Sequence, residues 1–420
     1  MEGRLQETAA TESCEQSLQR LLKFCRDEAW VGYDPYDGLN SPVARTFLVK
    51  TRLARTLLIQ AVKRSPINLR PLLGIKKEIN PKGIALAARA SILLAQHYRR
   101  DLPSEILPLE KLETLSTESI REGLQSDFRF LMSLLDSLRS RDYKEACWGY
   151  NFDWQSRAFF APRGTPNVVC TVFAAHAYLD WHDVTGSREA LRVAASSCRF
   201  LLDRLSRTKS GDGFCFSYTP LDNSCVHNVN LLAAELLARV FTKTGDRELS
   251  EAARLATEYS IARQQKDGSW PYGEASSQQW IDGFHTGYVL VSLKRLIEAL
   301  GHQQWRENLE RGFQFYRERF FLADGTPGYY HDNLYPVDVH SAAQAVITFL
   351  EMIDIMPQAS ELAARAVRWA INNLQDEVGY FYFQRHRFYI IKTPHMRWSQ
   401  TWMLYALSLY LSRSPLTENV

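Results

Sequence analysis

The chain has no run approaching about 18 uninterrupted apolar residues, so no membrane-spanning helix is expected. Residues 1 to 20, MEGRLQETAATESCEQSLQR, lack the apolar core of a secretory signal. The seven cysteines (14, 25, 147, 170, 198, 215 and 225) form no CxxC pair, which argues against a zinc ribbon or a redox site. Reduced, buried thiols in a cytoplasmic protein are the expectation. No HExxH or HxxxH pattern stands on a helix, so no metal is expected. The GxSxG elbow of serine hydrolases is missing, as are GxxxxGK[ST] and GxGxxG, which disfavours nucleotide chemistry and leaves no cofactor to expect. A net charge of +3 demands neither nucleic acid nor an anionic membrane as partner.

Aromatic residues, by contrast, are abundant: 10 Trp, 19 Tyr and 21 Phe. Many stand in loops rich in Gly, Pro and Asp, as in WVGYDPYDGLNSP at 30–42. Core packing explains some of them, and stacking on a ligand is the other use of such rings.

Punctuation recurs along the chain. Gly186, Gly245 and Gly301 each end an apolar helical stretch, and Ser187 and Asp246 are good N-caps for the helices that follow. Met356-Pro357 makes the same break. Acidic-glycine turns leading into aromatics recur at Asp212-Gly213, Asp267-Gly268 and Asp324-Gly325, and less cleanly from Asp376 to Tyr380. Asn167, His227, His285, His340 and Trp398 open the helix after each turn, giving a period of about 57 residues with two helices per unit. The first helix of each unit is amphipathic and suits an outer layer, and the second is apolar on most sides and suits an inner one. Upstream, residues 41–64 and 80–100 read as further helices, NPKGIALAARA being of the inner type. About twelve helices in six hairpins predict an all-α (α/α)6 toroid, because an open solenoid would leave its terminal faces bare. The expected organisation is a flexible stretch at 1–14, one domain over 15–415, and a flexible tail at 416–420.

In such a toroid the long loops and the inner-helix N-termini converge on a central funnel. The sequence puts its unusual residues at those positions: Trp148, Tyr150, Asp153, Trp154, Gln155, Arg157, Asn167, His227, Trp270, Tyr272, Asp282, His285, Tyr330, Asp338, His340, Arg397 and Trp398. The opening loop adds Tyr33, Asp34, Tyr36, Asp37 and Asn40. Asp282-x-x-His285 and Asp338-x-His340 set a carboxylate beside an imidazole, an arrangement suited to acid/base work, although each Asp also fits as a plain helix cap. Trp and Tyr stack on sugar rings while Asp, Asn, Gln and Arg bond hydroxyls, so an oligosaccharide or sugar-containing precursor is the expected ligand. A glycosidase would take its two carboxyls from Asp34, Asp37, Asp153, Asp282 and Asp338. A lyase or epimerase would use His or Tyr as base, with Arg157 or Arg397 facing a uronate. Hydrolysis, elimination and epimerisation stay open, and a non-catalytic glycan-binding subunit is the rival reading.

Two resemblances join this reading. YDPYDGLNSP (33–42), INLRPLLGIKKEINPKG (67–83), CWGYNFDWQSR (147–157), TPN (165–167) and DGSWPYG (267–273) together resemble a family of bacterial proteins encoded in exopolysaccharide and capsule gene clusters. Some members carry a delta-aminolevulinic acid dehydratase label, which belongs to a TIM barrel and does not suit an all-helical chain. The resemblance implies a role in surface-polysaccharide production, with possible association with assembly proteins, and carries over no catalytic residues. Tyr259, Gln264, Gly268 and Trp270 follow the QW spacing of triterpene cyclases in one repeat only, without a DxDD motif, which makes a terpenoid cyclase the minor alternative. Six-hairpin glycosidases and sugar 2-epimerases are similar at the level of the expected fold.

Overall fold

The computed structural model describes residues 2–42, 51–100 and 117–413. Part of the helix expected at 41–64, namely 43–50, and the tail at 416–420 lie outside the described residues. Among the described residues there are 13 α-helices: α1 (Glu2–Asp27), α2 (Arg52–Arg64), α3 (Pro81–Arg100), α4 (Thr117–Ser137), α5 (Val168–Thr185), α6 (Arg188–Arg204), α7 (His227–Thr244), α8 (Arg247–Ile261), α9 (Gly283–Leu300), α10 (Arg306–Arg319), α11 (Val339–Glu351), α12 (Ala359–Leu374) and α13 (Thr401–Arg413). The helix α1 thus begins ahead of residue 15, where the sequence reading opened the domain.

Helices α3, α5, α7, α9, α11 and α13 form an inner ring in which each packs on the next, and α13 packs back on α3. Their sequences explain the position: in α5 every residue from Val168 to Leu179 is buried, so the helix needs cover on all sides. Outer helices are one-sided. In α6, Ala190, Val193, Ala194, Ser197, Cys198 and Leu201 face inward at helical spacing, while Arg188, Glu189 and Arg192 stay outside. The outer layer runs α4, α6, α8, α10 and α12, and α1 completes it by packing on α12 and α13. Tight turns join inner to outer helices, with Gly186, Gly245 and Gly301 left-handed at φ 71°, 73° and 74°; Ser187 and Asp246 cap the helices that follow. The core lies between the two rings, and all seven cysteines are buried there as free thiols.

One docking device repeats between units. At Gly268, Gly325 and Gly379 (φ +92°, +91° and +113°) the acidic-glycine turn rests on the backbone of the next outer helix. A Cβ there would lie 2.5 Å from the Arg311 carbonyl oxygen in α10, 3.0 Å from that of Arg365 in α12 and 2.6 Å from that of Arg20 in α1. Gln264 Nε2 bonds the carbonyls of Gly268 and Asn308, and Gln375 Nε2 bonds those of Gly379 and Ser17 in the same way. The first helix therefore takes the place of the next outer helix for the last unit, and this closes the ring.

A belt of ion pairs links the inner helices one to the next. Arg89 (α3) and Arg239 (α7) both hold Asp180 (α5), Arg295 (α9) holds Glu235 (α7) and Glu351 (α11), and Arg413 (α13) returns to Glu351. Burial pushes the Glu351 carboxyl up, but the Arg295 and Arg413 charges outweigh it and hold the group at about 2. Short antiparallel strands decorate the loop end: β1 (Trp154–Gln155) with β2 (Phe160–Ala161), β3 (Arg207–Ser210) with β4 (Gly213–Phe216), and β5 (Val337–Asp338) with β6 (Gln384–Arg385), which also pairs with β7 (Ile390–Ile391). Outside both rings, α2 leans on the β1–β2 hairpin: Arg55 Nε bonds Gln155 Oε1 at 2.8 Å, and Arg52 reaches the Arg157 carbonyl.

Candidate active site

A cavity of about 190 Å³ opens where the loops meet the inner-helix N-termini. Its walls come from the opening loop (Tyr36), α2 (Gln60, Lys63, Arg64), the β1–β2 region (Tyr150 to Phe159), the loops before α7 and α9 (Tyr218, Tyr272, Gln278, Trp280), the N-terminus of α9 (Phe284, His285), Tyr329 and Tyr330, and the turn before α13 (Arg397, Trp398). That last turn, Met396–Gln400, is π-helical, a backbone form that often marks functional positions.

His285 is the titratable group with acid/base chemistry best presented to this space. Its backbone N–H and its Nδ1 both bond Asp282, at 2.9 and 2.7 Å, and the same Asp282 Oδ2 accepts the Trp280 indole N–H at 2.8 Å. Asp282 is fully buried whereas the His285 side chain is 22% exposed, so the carboxylate fixes the ring and leaves Nε2 on the open side. Asp282 caps α9 and orients the histidine at once, so the two sequence readings of this residue are compatible. Aromatic rings continue the assembly: Tyr272 stacks on Trp280 at 4.5 Å, Tyr272 lies 4.5 Å from the His285 ring, and the Arg157 guanidinium covers Trp280 at 4.4 Å. Tyr150 and Tyr218 share a hydroxyl–hydroxyl bond of 3.0 Å, and burial holds both phenols well above their usual range, so they stay protonated.

Other expected residues stand one layer back. Asp34 makes a two-pronged pair with Arg397 at 2.5 and 2.7 Å, and its carboxylate also caps the Tyr36 N–H. Asp37 pairs with buried Arg70 at 2.8 Å, away from the cavity. Asp338 accepts from the His340 N–H, the Trp398 indole and the Gln384 amide at 2.8, 2.9 and 2.6 Å, so it is a cap and a brace for Trp398. His340 is buried among Phe284, Trp398 and Trp402, with Nε2 2.5 Å from the Tyr288 hydroxyl. Burial, reinforced by the charges of Lys82, Arg397 and His285, holds its imidazole neutral, well below the usual range.

The expectation that His227, His285, His340 and Asp153 share one cavity does not hold. Only His285 of the four lines it. His227 is buried, and burial brings its imidazole down to about 4. Asp153 accepts the Arg163 N–H at 2.7 Å in an outer loop. Trp148 and Trp270 are core residues whose indoles bond the Leu135 and Ser260 carbonyls at 2.7 and 2.8 Å. Asn167 caps α5, Asn40 ties Glu78 to the Asn151 carbonyl, and Tyr33 lies under Arg70 and Lys77. Trp148, Asp153 and Trp270 each stand one or two positions from a lining residue and make their contacts elsewhere. Gln155 does line the cavity, but its amide is engaged by Arg55 and by the Ser156 and Phe159 carbonyls.

The sequence reading missed Gln60, Lys63 and Arg64, because α2 looks like any amphipathic outer helix. It also missed Trp280, whose place two residues before Asp282 was a usable signal, and buried Lys82. The Lys82 amine, 3.4 Å from the Tyr288 hydroxyl and over the faces of Phe173 and Trp402, is driven well below its usual range by burial.

No protein-family model matches the chain, and no curated protein matches it by sequence. Solved structures do match in three dimensions. They include a glycoside hydrolase family 76 mannosidase from Bacteroides thetaiotaomicron (10% identity, TM-score 0.59, covering 96% of this chain and 97% of that one). An unsaturated glucuronyl hydrolase specific for heparin matches at 12% identity and TM-score 0.58, over 96% of each chain. A cellobiose 2-epimerase from Bacillus thermoamylovorans matches at 12% and 0.58, covering 79% of this chain and 87% of that one. At such identities the likeness is one of fold, and the fold of this chain is an (α/α)6 toroid.

Proposed function

We propose that the chain is a carbohydrate-modifying enzyme in which His285, oriented by Asp282, moves a proton on a glycan or a sugar-containing precursor. The observation that carries this reading is the fixed imidazole facing an aromatic-walled cavity. Solved structures of the same fold that act on sugars add support by analogy. Two-carboxylate hydrolysis is the weaker version, because no Asp or Glu among the described residues lines the cavity. Elimination or epimerisation suits the site better. His285 takes a proton from a sugar carbon beside a carbonyl or carboxyl group, whose oxygen takes up the charge and accepts a hydrogen bond from a protonated tyrosine such as Tyr150 or Tyr218. Elimination follows by breaking the β C–O bond, with water protonating the leaving oxygen, and epimerisation by return of a proton to the other face of the carbon. Extending the proposal on the resemblance of the strings at 33–42, 67–83 and 147–157 alone, we propose a role in surface-polysaccharide production, with assembly proteins as partners and the cytoplasm as the site of action.

The test is mass spectrometry of the organism's own repeat-unit oligosaccharides incubated with the chain in deuterated water. Mass change or deuterium incorporation, abolished in His285→Ala, supports the enzyme. A non-catalytic glycan-binding subunit is the second reading, favoured by the structural partners that hold Asp34, Asp37 and Asp338. Binding without any mass or isotope change would establish it.

A further inference from the structure

The charge of the cavity is one-sided. Lys63, Arg64, Arg157 and Arg397 line it, and no carboxylate among the described residues does. Arg397 is neutralised from behind by Asp34. The others are not balanced in this way. Lys63, half-buried, bonds the Tyr36 hydroxyl at 3.0 Å and sits over the faces of Tyr36 and Trp398 at 4.5 and 5.7 Å. Arg157 bonds the Ser277 carbonyl at 3.4 Å and stacks on Trp280. None of these direct contacts carries negative charge, although the buried Asp338 carboxyl behind Trp398 feels the Lys63 charge. Burial and the Asp282 charge behind the wall hold the Tyr330 hydroxyl above its usual range, and Lys63 and Arg157 oppose them, so the two cations act on one region of the cavity. Arg64 and Arg157 are exposed and keep their water, whereas Lys63 is half-buried with neutral groups in direct contact, so a bound anion would offset the desolvation of Lys63 and add charge-assisted bonds from Arg157.

Building on the carbohydrate reading above, we propose that the cavity receives an anionic sugar unit. Its ring stacks on the aromatic wall, and its charged substituent is held by Lys63 and Arg157. A volume of about 190 Å³ is below the several hundred cubic ångströms usual for a drug-sized ligand, which suits about one sugar ring. The recognised chemistry is a negative oxygen cluster on the sugar, supplied by a carboxylate or a phosphate.

The experiment is tryptophan-fluorescence titration of the full chain, and of His285→Ala, with a glucuronate-containing tetrasaccharide, a hexose 1-phosphate and a neutral glucose tetrasaccharide. At low salt at least one acidic ligand is expected to bind about tenfold or more tighter than the neutral one, a gap that narrows as salt is added. Whether the uronate or the phosphate gains more identifies the source of the anion. Lys63→Gln and Arg157→Gln are each expected to weaken the acidic ligand by a larger factor than the neutral one, so that the ratio of the two affinities falls towards one. Equal affinity for acidic and neutral sugars, or no effect of either variant, overturns the anionic preference and leaves the carbohydrate reading standing. Failure to bind any of the three overturns both. Acid-selective binding without turnover removes the enzyme and keeps the anionic sugar.

Discussion

Asp282 Oδ2 accepts from His285 and from Trp280 at the same time, so one buried carboxylate sets both the imidazole and the indole of the cavity wall. The Asp282→Asn variant keeps the cap but disturbs the tautomer and basicity of His285. We expect turnover to fall by roughly 10²–10⁴-fold in Asp282→Asn and in His285→Ala, the range for a lost acid/base group, with circular dichroism unchanged. Product formation by mass spectrometry checks this, and full activity in both variants would remove His285 from the mechanism.

Arg397 and Asp34 form a buried pair between the opening loop and the turn before α13. Removing one partner leaves a charge without compensation. Arg397→Ala and Asp34→Ala should each cost about 3–5 kcal/mol, and Arg397→Met with Asp34→Leu should recover part of that loss. Denaturant melts of the three proteins decide the point.

Acid should destabilise the protein in two steps. The His227 imidazole is lowered to about 4 by burial, so the unfolded chain binds its proton first. The stability held by the neutral ring is present above the ordinary value and lost as pH falls from about 6.5 towards 4, amounting to about 3 kcal/mol. Glu351, held at about 2 in the ion-pair belt, adds a second loss as pH falls from about 4.5 towards 2. Buried His340, and His176 and His395 likewise, add to the upper step, so a pH series of thermal melts in which His227→Gln makes that step smaller, relative to the parent, would confirm its share.

Turn glycines should divide into two classes. At Gly268 and Gly379 an added Cβ meets the carbonyl of the next outer helix, whereas at Gly186 it meets open space. All three have positive φ. Gly186→Ala should therefore cost about 1–2 kcal/mol from backbone strain alone, and Gly268→Ala or Gly379→Ala clearly more. Equal melting temperatures for the three variants would show that the docking contacts contribute nothing.

Much of the architecture was legible because the hairpin turns leave chemical marks. Gly186, Gly245 and Gly301 must be left-handed, and the inner helices are apolar on most sides. The site was legible in part, for a reason visible at Trp148 and Trp270. A loop aromatic facing the core and one facing a cavity have the same composition, and a shift of two residues exchanges them, as Trp148 and Tyr150 demonstrate. Partners distant in sequence are the other obstacle. Nothing near Asp34 announces Arg397, so the loop at 30–42 read as a sugar wall, whereas Asp34 braces the lining residue Arg397, Asp37 pairs with Arg70 away from the cavity, and Tyr36 alone of the loop's named residues reaches it.

The docking of Gln375 on Ser17 also bears on how the molecule is assembled. Most helix contacts join neighbours in the chain and form quickly, while this seam joins its two distant ends. The entropy of closing so long a loop grows only with the logarithm of its length, so the delay is kinetic more than energetic. Refolding should pass through an arc of hairpins with an exposed apolar seam, which the packing of α13 on α3 closes in the inner layer and α1 latches in the outer one.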